Sequence, residues 1–226
     1  MNILELKQRY NKNWEIYKLN LSEFTNRQKS IVTKYEPEET LKISNLGCKE
    51  FIKSYDKYIL HCIEELSETR EAEFIYNATD NDNNELLYEV VDILMYLGSM
   101  QYIIQLNCNE YNVPYDNMLE INYSERNTDS IYMKTLEVDS MLMDINDQLI
   151  AIRRLWPHRK WHKPYKEFTS TEIHIVLTKM LYKNLKAIEY CIQLYLFLSN
   201  ENYLLLNKMV NKKEKFIFEL PKPEGE

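Results

Sequence analysis

Residues 61–72, HCIEELSETREA, place Glu64, Glu65, Glu68 and Glu71 on a stretch whose apolar residues recur at helical spacing. Residues 85–97, ELLYEVVDILMYL, set Glu89 and Asp92 in a stretch that is more apolar still. At about 100° per residue, Ile59, Cys62, Ile63 and Leu66 form one side of the first helix, with Glu65 flanking that side and Glu68 about 60° further round. On the second helix Leu86, Val90, Leu94 and Leu97 form the apolar side, Glu89 flanks it and Asp92 sits the same step beyond. Each helix thus carries an i, i+3 carboxylate pair at a matching offset from its buried stripe. Packed as an antiparallel hairpin, the two pairs converge on one rim.

Four carboxylates held close repel one another, and a bare cluster raises some of their pKa values. A divalent cation relieves the repulsion. Oxygen donors at a solvent-open rim suit Mg²⁺, which fills its octahedron with waters and substrate phosphates; Mn²⁺ takes the same donors. Zinc fits worse, because none of the 4 His stands at ligand spacing from a Cys or a second His. A di-iron bundle uses Glu-x-x-His, whereas here His61 precedes Glu64. Acids three apart are also common on solvated helix faces. Glu64, Glu71 and Glu73 are read as such surface charges, as is the pair Asp144 and Asp147.

The elements that must hold these acids read as helices throughout. With only 3 Gly and 6 Pro in 226 residues, tight turns are few, which favours long helices over a many-stranded sheet. Helical spacing runs over residues 3–35, stops at Pro37, resumes from Cys48 to Asn77, and returns at 85–107 after the polar turn ATDNDNN. A surface excursion is expected over 109–129, then helices over 130–155, from a Thr169 or Ser170 cap to Ser199, and near 201–213. The expected architecture is an all-α bundle in one domain, residues 1–216, followed by a tail, 217–226.

A formal charge of −7 argues against a general nucleic-acid binder, whose surface must be positive. No apolar signal core opens the chain, and residues 190–206 are interrupted by Gln193, Asn200, Glu201 and Asn202, so no membrane span is expected. Cys48, Cys62, Cys108 and Cys191 form no CxxC pair and read as free thiols of a cytoplasmic protein. CIQLYLFL, residues 191–198, is apolar nearly all round, from which a homodimer is expected.

With the acids in view, the chain resembles the all-α nucleoside triphosphate pyrophosphatases, the group of MazG-like proteins and dimeric dUTPases with their phage-type relatives. Their signature, ExxE and then ExxD, reads here Glu65-Leu-Ser-Glu68 and Glu89-Val-Val-Asp92. FTNRQKSIVTKYE resembles the family's first helix, and Gln28 matches the Gln that reads the nucleobase. RRLWPHRKWHKPYKEF resembles the segment that carries a Trp-Lys between two later helices, and YLLLNKMVNKKEKF resembles the C-terminal Lys/Asn/Arg phosphate motif. Lys213 or Lys215 stands where that motif has Arg, Ile217-Phe218 replaces its closing Gly-Tyr, and FIYNATD replaces an aromatic-rich stretch.

The resemblance covers about residues 20–216 and implies a hydrolase of nucleotide metabolism. The implied reaction is Mg²⁺-dependent cleavage of a nucleoside triphosphate, dUTP foremost, to the monophosphate and pyrophosphate. Two or three Mg²⁺ ions would sit on Glu65, Glu68, Glu89 and Asp92, with Glu65 or Glu68 as catalytic base. Gln28, Arg159, Lys160, Lys163, Lys208, Asn211 and Lys215 would bind substrate. The alternatives are dCTP, dATP or a modified nucleotide as substrate, or a helical protein that binds a nucleotide or partner without catalysis.

Overall fold

The computed structural model describes residues 21–79, 84–115, 131–155, 169–199 and 203–221. Among them the chain forms six α-helices and no strand: α1 (Leu21–Tyr35), α2 (Ile43–Thr79), α3 (Asn84–Glu110), α4 (Ile131–Leu155), α5 (Ser170–Leu198) and α6 (Tyr203–Glu219), with a 3₁₀ turn over Glu38–Leu41. The all-α class expected from the sequence is what these residues show.

The breaks fall where the chain chemistry puts them. Pro37 stands two residues past the end of α1, and its carbonyl accepts from both the backbone and the side chain of Thr40 at 2.9 and 2.7 Å, winding the short 3₁₀ turn. Thr169 caps α5: its hydroxyl accepts from the Glu172 amide while the Glu172 carboxylate accepts from the Thr169 amide, a reciprocal capping box. Asn112 ends α3 in the left-handed region at φ 54°, which Asn tolerates better than most residues. The amide of Val113 then reaches back to the Cys108 carbonyl at 2.8 Å.

α2, α3, α5 and α4 form a ring in which each helix packs on the next, and α1 and α6 lie across α3 and against each other. α3 is buried on nearly every side, including Val90, Leu94, Leu97, Met100 and Ile103. Across the α2–α3 pair, Ile43 meets Asn107, Cys62 meets Met100 and Glu65 meets Glu89 and Asp92, so the partner's number falls as the residue number rises. The two helices run antiparallel, as a connection of four residues requires.

Four expectations change. α2 begins at Ile43 rather than near Cys48, because Asn107 of α3 accepts from the Ile43 amide at 2.9 Å and donates to the Leu41 carbonyl at 2.8 Å. α6 runs to Glu219 rather than giving way to a tail, because Lys34 and the Tyr35 hydroxyl of α1 bond the Ile217 carbonyl at 3.4 and 3.0 Å, and Lys34 also bonds those of Phe218 and Leu220. Glu73 is buried, at 7% exposure, rather than solvated; Glu64, Glu71 and Asp147 are exposed and Asp144 half-buried. Cys191, Ile192, Leu194 and Tyr195, whose apolarity suggested a dimer interface, are instead buried within one chain. Cys62, Cys108 and Cys191 are free thiols, and no described helix is long and apolar enough to cross a membrane.

Candidate metal centre and adjoining pocket

The buried stripe of α2, Ile59, Cys62 and Leu66, faces α3 and leaves Glu65 half-buried at its edge. On α3, Val90 and Leu94 are buried while Glu89 and Asp92 stand half-buried beside them. The antiparallel register brings these edges together: one carboxylate oxygen from each of Glu65, Glu89 and Asp92 lies within 4.8 Å of the other two. Glu68, one turn along α2, is exposed and lies outside this set, near enough for its charge to act on all three.

Electrostatics follow from the crowding. Burial, and then the charges of Asp92, Glu68 and Glu89, push the Glu65 carboxyl up to about 7, against a smaller opposing pull from Lys213. Burial first, and then Asp92 and Glu68, raise Glu89. Asp92 is raised as well, burial outweighing its bond to the Lys213 ammonium at 2.6 Å. Asp92 Oδ1 is buried and has no hydrogen-bond partner among the described residues. Three converging carboxylates, one with an unused buried oxygen, fit a hard divalent cation.

The cluster opens into a pocket of about 750 Å³ between α1, α2, α3 and α6. Its walls include Tyr58, His61, Tyr96 and Phe216, and Glu65, Asp92 and Lys213 line it where it meets the acids. His61 and Tyr96 stack at 5.1 Å with their planes 15° apart, and His61 Nδ1 lies 2.8 Å from Glu64. Burial first, then Glu65 and Asp92, push the Tyr96 phenol up to about 12, so it stays protonated and is a hydrogen-bond donor.

Gln28 lines this pocket from α1 and is fully buried. Its amide nitrogen donates to Glu214 Oε1 at 2.9 Å, and its carbonyl oxygen accepts from the Ser99 hydroxyl at 3.2 Å. Arg27 holds the other Glu214 oxygen at 2.7 Å. Arg27 and the Gln28 amide thus fix Glu214, and Glu214 in turn fixes which way the amide points.

The remaining expected residues fall elsewhere. Lys208, Asn211 and Lys215 are exposed, about 140–160° round α6 from Lys213, and do not line the pocket. Arg153 pairs with Asp56 of α2 at 3.1 Å. Arg159, Lys160 and Lys163 lie outside the described residues. The sequence assigns no role to Tyr58, His61, Tyr96 or Glu214, and it offers Lys213 as one of several α6 cations for phosphate and as a stand-in for a missing Arg. Lys213 had a legible signal: Leu206, Met209, Val210, Lys213 and Ile217 recur at three- and four-residue steps, so the lysine sits on the inward stripe. No protein-family model, no curated protein and no solved structure matches this chain.

Proposed function

We propose that the protein is a Mg²⁺-dependent nucleoside triphosphate pyrophosphohydrolase, with dUTP its foremost substrate and dUMP and pyrophosphate its products. One observation carries this reading: Glu65, Glu89 and Asp92 converge, and two of them, Glu65 and Asp92, line an aromatic-walled pocket together with Lys213. Such a site offers a polyphosphate its charged end and a nucleoside its flat, apolar end.

Glu65, Glu89 and Asp92 would hold the metal, with Glu68 at the rim as a fourth ligand. Bound there, Mg²⁺ would offset phosphate charge and make a water more acidic at neutral pH. Glu65 or Glu68, whichever keeps a carboxylate oxygen uncommitted to the metal, would accept the water's proton. Lys213 presents a point charge to the outer phosphates. Tyr58, His61, Tyr96 and Phe216 exclude water around the nucleoside, and Gln28 orders the Ser99 hydroxyl at the pocket wall.

The test is direct. Purified protein with Mg²⁺ and a panel of deoxy- and ribonucleoside triphosphates should release monophosphate and pyrophosphate from one base preferentially. Glu89→Gln and Asp92→Asn should each lower turnover at least about a hundredfold, with the far-UV circular dichroism unchanged. Full activity in either variant overturns the metal role, and no pyrophosphate from any substrate overturns the reaction.

A second reading, nucleotide binding without hydrolysis, is favoured by the outward placement of Lys208, Asn211 and Lys215. Saturable nucleotide binding with no product in the same assay would select it.

A further inference from the structure

Lys213 is subject to competing demands. Its Nζ lies 2.6 Å from Asp92 Oδ2, where it offsets the charge of a crowded acid cluster. Asp92 is also one of the three carboxylates whose oxygens lie within 4.8 Å of one another, and its other oxygen is buried without a partner among the described residues. A divalent cation held by those three groups would come within a few ångströms of the ammonium, and like charges that close in a half-buried site repel strongly.

The lysine has somewhere to go. Its stem is four flexible carbons, its side chain is 31% exposed, and it lines the pocket. The helix beneath it is fixed independently. Leu206 and Val210 are buried, Glu214 is held by Arg27 and Gln28, and the Tyr195 hydroxyl reaches Met209 Sδ at 2.8 Å. The ammonium can therefore leave Asp92 without α6 moving. Neighbouring Lys212 bonds the Tyr88 hydroxyl at 3.1 Å, away from the cluster.

The geometry points to Lys213 as a built-in counter-cation that a divalent metal displaces from Asp92, turning the ammonium into the pocket to meet the ligand's anionic end. The inference rests on the metal reading above. It adds that metal occupancy and anion binding are coupled through one side chain. Lys213 is thus a ligand-binding residue whose placement depends on the metal. By linkage, the metal would raise the site's affinity for an anion by the factor that the anion raises it for the metal.

Two measurements without nucleotide test this. Calorimetric titration should show Lys213→Gln and Lys213→Met binding Mg²⁺ or Mn²⁺ about fivefold to a hundredfold more tightly than the natural protein, with Lys213→Arg close to it. In full-length protein whose lysines carry ¹³C-methyl groups, the Lys213 resonance, assigned by its loss in Lys213→Arg, should move on adding Mg²⁺ to the position of an unpaired lysine. If Mg²⁺ binds while that resonance stays put, or if both neutral variants bind no more tightly, the exchange is wrong and the metal site survives. If neither the natural protein nor the variants bind the metal, both readings fall.

Discussion

Glu73 has one carboxylate oxygen buried without a hydrogen-bond partner among the described residues, and burial and the Asp139 charge push its carboxyl up to about 7 from 4.5. Below about pH 4.5 it is protonated in both the folded and unfolded chain and makes no difference. As the pH rises from there to about 7 the unfolded chain releases the proton while the folded one keeps it, so stability falls; above that the loss is constant. Glu73→Gln keeps the shape and removes the titration. Chemical denaturation should find it more stable than the natural chain at pH 8, by up to about 3 kcal/mol, and nearly equal at pH 4.5. An equal difference at both pH values would show that packing, not ionisation, sets the effect. The spacing of Glu73 looked no different from that of its exposed neighbours Glu64 and Glu71. Only the arrival of α4, carrying Asp139, buries one and leaves the others in water.

The crossing of α1 over α3 depends on a single missing methyl. A Cβ at Gly98 would stand 2.4 and 2.5 Å from two ring atoms of Phe24 and 3.0 Å from Gln28 Cγ, and Phe24 is fully buried. Gly98→Ala should therefore destabilise by about 1–2 kcal/mol, the overpacking cost exceeding the roughly 1 kcal/mol that Ala gains in a helix. Under the proposed function it should also weaken nucleotide binding, since Phe24 and Gln28 must move together; a variant more stable than the natural chain would refute the close packing. The helices themselves, the Thr169 cap and the matched acid pairs were legible because each depends on neighbours within a turn or two. The remaining determinants are non-local. Asn107 starts α2 from 64 positions away, Lys34 extends α6 from 183 away, and Glu214 orients Gln28 from 186 away. No local periodicity encodes such partners.

For the whole molecule, Cys191, Ile192, Leu194 and Tyr195 of α5 are buried against other helices of the same chain, so their apolarity does not call for a second copy. The acid cluster sets a cost that the entire fold bears. Glu65, pushed up to about 7, and Glu89 and Asp92, both raised, hold protons in the metal-free folded chain that the unfolded chain releases sooner. Metal-free stability should therefore fall as pH rises from about 4.5 through 7. A cation binding the same oxygens must displace those protons, so it competes at low pH and binds freely at high pH. At a hundred times its dissociation constant it would stabilise by about 2.7 kcal/mol, which in a chain of this size is a melting shift of about 5–10 °C. Mg²⁺ should accordingly raise the melting temperature by several degrees at pH 8 and scarcely at pH 5, flattening the pH dependence, and Asp92→Asn should lose most of the pH 8 shift. A shift of equal size at both pH values, or one that survives in Asp92→Asn, would place the stabilising metal elsewhere on the molecule.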